Sequence, residues 1–398
     1  ISFPIYGNIK RGKGKVTHLI CHKLTKPNIS SNAFAFIVII QDLKIENFRC
    51  YDFAEITFDK GINLIHGQNG CGKSSLVEAI QLNLSGKSFR TTEIDTIIRK
   101  NNPFLQSLVT FEDNKGIKIT KERDKRAKIT DIESKKSKNY KFLVENYPLC
   151  LVENNEFFFT DANPETKRVF LNKTLFYVEQ NFNFTENILK KIIKSRSNCL
   201  KHQKFDEIDY WNDKLVEIEP QITESCAKII DRFNYEIKNN TYIEVFSEKN
   251  AWIKDISLVF YPGFNKNTRF KDVLLENLSK DKALCRTSSG PHKRYFKINV
   301  QDTDASLILS RGQQKIASIV LHLVQREIIK NDTDISPILL MDDISSELDK
   351  DNANLMLKYL INNNIQTIMT SIENNHFFNT DGVCMFHVEQ IGDLSNVR

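Results

Sequence analysis

Apolar positions along this chain change period several times, and each change marks an element. Gly61-Ile62-Asn63-Leu64-Ile65-His66 is a short apolar run with the length of a buried strand. Ser75 to Leu82 is apolar at 76, 77, 79, 80 and 82, which is helical spacing. Pro337 to Met341 is a continuous apolar run, the pattern of a strand covered on both faces. It follows a strongly apolar helix carrying Ile316, Ile319, Val320, Leu323 and Val324. Thr185 to Lys201 and Trp211 to Lys238 also read as helices, the second through Leu215, Ile218, Ile222, Cys226, Ile229 and Ile230. Their apolar positions do not sustain heptads over a long coiled arm. Ser257 to Tyr261 predicts a strand returning toward the core. A helix (Asn352 to Asn362) and two closing strands (Gln366 to Thr370, Val383 to Val388) complete the pattern.

The fold class expected is α/β: a mixed sheet with an antiparallel β-region, plus an inserted compact helical lobe. Residues 40–171 hold the strands, a glycine loop and the β-region. Residues 172–284 are mainly helical, and residues 285–398 return to the core. Residues 1–39 stand apart. Lys10 to Lys15 is basic and glycine-broken, Ala33 to Ile40 is a short apolar run, and no small-residue cleavage site follows. This segment reads as a disordered extension outside the fold.

Gly67-Gln68-Asn69-Gly70-Cys71-Gly72-Lys73-Ser74-Ser75 joins the first strand to its helix and fits the G-x-x-x-x-G-K-[ST] phosphate loop. Glycines let backbone N–H groups turn toward phosphates, and the helix N-terminus adds its positive end. Lys73 is expected at the β- and γ-phosphates of ATP, and the Ser74 hydroxyl on Mg²⁺. Asp342-Asp343 ends the apolar 337–341 run, at the carboxyl end of a strand, where ligands sit in open α/β sheets. Asp342 is expected to help hold the metal, and Asp343 to orient or deprotonate the attacking water.

Ser310-Arg311-Gly312-Gln313 precedes the 316–324 helix, one helix before the two carboxylates. Ser-x-Gly alone is a common loop. The order of phosphate loop, long insertion, this segment, acidic strand and the turn Ser346-Glu347-Leu348-Asp349 resembles that of ABC-type ATPases. The resemblance implies that Ser310 to Gln313 is a signature acting in trans on the ATP of a second subunit. It implies likewise that Ser346 and Asp349 belong to the D-loop, the turn that follows the acidic strand.

Within that class the chain resembles the RecF family from about Ile40 onward. Leu43 to Tyr51, with its Asn47-Phe48-Arg49, is similar to the family's opening strand, and adds Arg49 to the expected nucleotide-binding residues. Gly86-Lys87-Ser88-Phe89-Arg90-Thr91, Asn163 to Asn172 and Ser289-Gly290-Pro291-His292-Lys293 resemble further landmarks. The chain departs from the pattern at Asn154-Asn155, Lys167, Asn172 and Arg294-Tyr295, and Met369-Thr370-Ser371-Ile372 has no switch histidine. The resemblance implies a weak, DNA-stimulated ATPase that dimerises with ATP. It implies binding to single- and double-stranded and gapped DNA, action with RecO and RecR, and loading of RecA. It also implies a cytoplasmic, nucleoid-associated place. Two other readings remain. An ATPase of the overcoming-lysogeny-defect type needs a carboxylate-rich nuclease domain downstream, and the residues after Asp349 read as a helix and two strands instead. A non-hydrolysing DNA-binding scaffold conflicts with the intact Lys73, Ser74, Asp342 and Asp343.

Charge changes the picture only locally. The 398 residues carry a net +6, mildly basic. Lys115 to Lys141 concentrates the excess, and Lys121, Arg123, Lys125, Arg126 and Lys128 are its candidate DNA contacts. A solvated edge that resists aggregation has the same composition, and both readings stay open. The eight cysteines show no Cys-x-x-Cys pair and indicate no zinc site. Cys71 inside the phosphate loop suggests a reducing compartment. No apolar run reaches the roughly 20 residues that span a bilayer.

Overall fold

The computed structural model describes residues 36–112, 115–153, 159–179, 181–239, 241–343, 348–372, 382–391 and 394–397. β1 (Phe36–Ile37) and β2 (Ile40–Phe48) lead through a hairpin to β3 (Tyr51–Thr57), and β4 (Ile62–His66) feeds α1 (Lys73–Ser85). β5 (Phe104–Phe111), β6 (Gly116–Glu122), β7 (Lys128–Asp131) and β8 (Ser137–Lys138) precede α2 (Tyr140–Asn146) and β9 (Leu149–Val152). The helical run is α3 (Pro164–Val178), α4 (Phe182–Lys201), α5 (Ile208–Asn239) and α6 (Thr241–Ser247). β10 (Ile256–Tyr261), α7 (Phe270–Glu276), α8 (Leu278–Leu284), β11 (Tyr295–Val300), β12 (Thr303–Asp304) and α9 (Ala305–Ile308) lead to α10 (Arg311–Thr333). β13 (Ile335–Ser336), β14 (Ile338–Met341), α11 (Lys350–Asn362), β15 (Thr367–Ser371), β16 (Val383–Ile391) and β17 (Leu394–Val397) follow.

The central sheet has the order β17-β16-β4-β15-β14-β9, with every pairing parallel except that of β17. Its strands alternate between two cores. Leu64, Leu339, Met341 and Met369 pack with α3, α5, α10 and α11, whereas Ile65, Ile338, Leu340 and Ile368 pack on the opposite side with α1. Burial on both faces is why 337–341 reads as an unbroken apolar run. The second sheet, β3-β2-β5-β6-β7-β8, is antiparallel throughout. Its inward residues Leu43, Ile45, Leu105, Val109 and Ile117 cover the other side of α1. The phosphate-loop helix is therefore wedged between two sheets, and 11 of its 13 residues are buried.

Three details differ from the sequence reading. Phe36–Ile37 lies inside the segment set aside as an extension, yet β1 pairs in parallel with β13. A two-residue strand has no periodicity to detect. Residues 1–35 of that segment lie outside the described residues. The boundary drawn at 171/172 falls inside α3. Finally, β10 does not rejoin the central sheet; it forms a separate antiparallel sheet with β11 and β12.

The helical region is fastened by two buried ion pairs. Arg196 of α4 meets Asp281 of α8 at 2.7 Å, both essentially inaccessible, and also bonds Asn212 and Thr287. Arg294 meets Glu186 of α4 at 2.7 Å and Asn172 of α3 at 2.6 Å. Asn172 and Arg294, two positions where the sequence departs from the pattern it resembles, are thus in direct contact. The adjoining His292 ring faces the Thr287 carbonyl at 3.1 Å, so Nε2 carries the proton. Burial pushes its pKa down to about 4.

Arg196→Met leaves Asp281 buried without its counter-ion and should cost about 3 kcal/mol in urea unfolding. A loss under 1 kcal/mol would contradict the pairing. His292 stays neutral in the folded state but protonates near 6.5 when unfolded. Stability from this group should be complete above pH 6.5 and decline as pH falls toward 4. His292→Gln should flatten that part of the stability–pH curve, and an unchanged curve would show that His292 does not drive it.

Candidate nucleotide site

The loop after β4 turns three times through backbone space that side chains resist. Gly67, Gly70 and Gly72 have φ of 155°, 82° and 110°. Two of these glycines also lack room. A Cβ on Gly67 would lie 2.2 Å from the Val388 carbonyl oxygen of β16. One on Gly72 would lie 2.8 Å from both Cys50 Sγ and Tyr51 Oη. Lys73, first residue of α1, folds back over the loop and donates to the carbonyls of Gly67 (2.8 Å) and Gln68 (2.9 Å).

In the central sheet β15 lies between β4 and β14, and it joins the two halves of the site. Thr370 near its end accepts from the Asp343 N–H at 2.7 Å and donates to Asp342 Oδ1 at 2.7 Å. One buried hydroxyl thus sets both carboxylate-bearing residues. Asp343 takes φ of 56°, a left-handed turn that ends the strand. The hard oxygen set of Ser74 and Asp342 fits Mg²⁺, and Thr370 engages Asp342 through Oδ1 alone. Among the described residues no group of three or more His, Cys, Asp or Glu could hold a metal.

A cavity of about 560 Å³ lies where these elements meet. Asn69, Gly70, Gly72, Lys73, Ser74 and Ser75 line it, with Arg49, Asp342 and Asp343. Gly67, Gln68 and Cys71 support the loop from outside the lining. Arg49, also at positive φ (52°), holds Glu78 of α1 through two hydrogen bonds of 2.6 and 2.9 Å. Arg90 reaches the same carboxylate at 3.5 Å. Glu78 is wholly buried, so its charge is balanced at the cavity wall. Sequence reasoning did not place Thr370, Arg90, Thr96, Ile98 or Lys100 at this cavity. Arg90 belongs to the Gly86–Thr91 landmark, whereas no local signal marks Thr370.

The segment expected to be the signature lies elsewhere. Ser310 caps α10: its hydroxyl accepts from the Gln313 N–H (3.4 Å), and its own N–H donates to Gln313 Oε1 (2.9 Å). Ser310 and Arg311 are exposed, and none of Ser310, Arg311, Gly312 and Gln313 lines the cavity of its own chain. Asp349 caps α11 by accepting from Asn352 N at 2.9 Å. Ser346 lies outside the described residues. Of the five candidate DNA contacts, Lys121 is buried against Asp95 and the Glu122 carbonyl, which removes it from a surface role. Arg123 bonds the Asn102 carbonyl at 2.8 Å, and Lys125 pairs with Glu122. Arg126 and Lys128 are exposed.

Gly67→Ala should weaken nucleotide binding and stability more than Gly70→Ala. The first adds a backbone clash to strain. The second adds only strain, about 1 kcal/mol, since nothing lies within 4 Å of its Cβ. Thermal melts and nucleotide titrations of the two variants check this, and the reverse order would contradict the packing around Gly67.

Residues 39–392 match the RecF/RecN/SMC N terminal domain model. The DNA replication and repair protein RecF of Shewanella halifaxensis is 30% identical over 355 residues, spanning 87% of this chain and 95% of that protein. RecF of Shewanella oneidensis is 30% identical over 353 residues, 87% and 96%. Among solved structures, the recombination mediator protein RecF-ATPrS superposes with a TM-score of 0.77 at 22% identity, covering 92% of this chain and all of that one. The SMC head bound to the C-terminal winged-helix domain of ScpA gives 0.54 at 15% identity, covering 90% and 97%. The chain belongs to the RecF family of SMC-like ABC-type ATPases.

Proposed function

We propose that this chain is an ATP-operated DNA clamp of replication and recombinational repair. One observation carries the reading: the fold brings Lys73 and Ser74 into one cavity with Asp342 and Asp343, while Ser310 stays exposed outside it. The cavity volume suits a nucleotide. Lys73 would exchange its two carbonyl partners for β- and γ-phosphate oxygens. Ser74 and Asp342 would hold Mg²⁺, which when bound neutralises phosphate charge. Asp343, set by Thr370, would orient or deprotonate the attacking water. Ser310 and the α10 N-terminus would meet the nucleotide of a second copy, so ATP would close a homodimer and hydrolysis would open it.

The names of the relatives, which concern DNA replication and repair, support DNA as the clamped partner. Binding at gapped or junction DNA, and action with RecO and RecR toward RecA loading, extend the same proposal. No base-reading motif is visible, so binding should be indifferent to sequence and steeply salt-dependent.

Lys73→Ala should abolish ATP binding, and Asp343→Asn should retain binding while slowing turnover about 100-fold or more. Ser310→Arg should leave ATP binding intact but block ATP-induced dimers in gel filtration, because the α10 N-terminus must approach the γ-phosphate to about 3 Å. Mixing Ser310→Arg with Lys73→Ala protein should restore one working site per mixed dimer. Wild-type turnover in Asp343→Asn, or mixed dimers without any active site, would sink the mechanism.

A further inference from the structure

Ion pairing is uneven among the helices. On α5, Lys214 pairs with Glu217 and Lys228 with Glu224, and Arg232 pairs with Asp332 of α10. In the β-region Lys121, Lys125, Lys138 and Lys141 are each held by a carboxylate, whereas Arg126 and Lys128 stand exposed near no acid among the described residues. Helix α4 is different. Its one acid, Glu186, is turned inward and committed to Arg294. Its arginine, Arg196, is turned inward onto Asp281. What remains on the solvent face is cationic: Lys190, Lys191, Lys194 and Lys201, with Asn187 and Asn198 between them. Lys190 approaches Glu186 only at 4.0 Å. Among the described residues no carboxylate lies within 4.0 Å of Lys191, Lys194 or Lys201.

We propose that this face of α4 is a contact surface for the phosphate backbone of duplex DNA. The inference rests on the clamp reading and adds a place that the sequence reading did not name.

Helical geometry puts Lys190, Lys194 and Lys201 within about 40° of one another around the axis, with Lys191 about 60° further round. The row is about 16 Å long, the axial rise of roughly five base pairs of duplex. Asparagine amides between lysines add neutral donors to phosphate oxygens. A merely solvated helix face would be expected to carry acids at i±4, as α5 does. Here the only acid is withdrawn, so the row keeps its full charge toward solvent. The same ion pairs that withdraw Glu186 and Arg196 also clamp α4 to the 290–294 loop and to α8, so the row is held on a fixed support. Regular spacing, neutral donors and a rigid base favour a polyanion of regular pitch over a fluid anionic surface.

The test is fluorescence anisotropy on a gapped duplex, with ATP and Mg²⁺, across a salt series. Parent protein is compared with Lys191→Ala/Lys194→Ala/Lys201→Ala and, as a control, with Lys125→Ala/Arg126→Ala/Lys128→Ala. The α4 variant should bind at least 10-fold more weakly at fixed salt, and its log–log salt slope should fall by about 2 to 3. Its melting curve and ATP affinity should match the parent, since the three residues are exposed and none lines the cavity. Parental affinity and slope in the α4 variant would overturn the proposal, as would a loss confined to the control variant. Unchanged DNA binding with lost binding to phosphatidylserine vesicles would assign the face to membranes and equally overturn it. If the parent itself binds no DNA at any salt, the clamp reading fails first and this surface fails with it.

Discussion

Helix α1 has almost no free surface, and that constraint organises the rest of the site. It lies between the central parallel sheet and the antiparallel sheet, so its N-terminus cannot shift or rotate without disturbing both. The phosphate loop inherits this rigidity. Val388 of β16 closes over Gly67, while Cys50 and Tyr51 of the β2–β3 hairpin close over Gly72. Preorganised backbone donors cost nothing to arrange when an anion arrives, which is how a short loop binds charge in water.

The second half of the site is tied to the first through one strand. β15 pairs with β4 on one side and β14 on the other, and Thr370 reaches from it to both Asp342 and Asp343. The hydroxyl does two things at once. It satisfies a backbone N–H at a left-handed residue, and it fixes one oxygen of the neighbouring carboxylate. Arg49 and Arg90 play a comparable part at the cavity wall by neutralising the buried Glu78. The wall is held by interactions that need no ligand.

Away from the cavity, buried charge sets orientation. Arg196 and Arg294 draw Asp281 and Glu186 into the protein and so settle which face of α4 meets solvent. Such pairs add little net stability, but leaving one partner alone is costly, so they select one packing over alternatives. The uneven charge of α4 follows from this internal pairing.

The sequence by itself determined the elements whose signal is local. The glycine loop and its helix, the apolar strand ending in Asp342-Asp343, and the long helices were legible because periodicity and turn chemistry act over a few residues. The RecF-like landmarks were legible too, since they are short strings. Tertiary structure alone decided the rest. Nothing local marks Thr370 as the bridge, because its partners are 27 and 28 residues away and meet it only through strand order. Lys121 belongs to a basic run, yet pairing of β5 with β6 turns it inward onto Asp95, and only the fold could say so. Glu186 and Arg196 look like ordinary surface charges on α4 until Arg294 and Asp281, 108 and 85 residues away in sequence, draw them inward. Charge counted along a chain is an average over faces; which face it occupies is settled by what packs against the other.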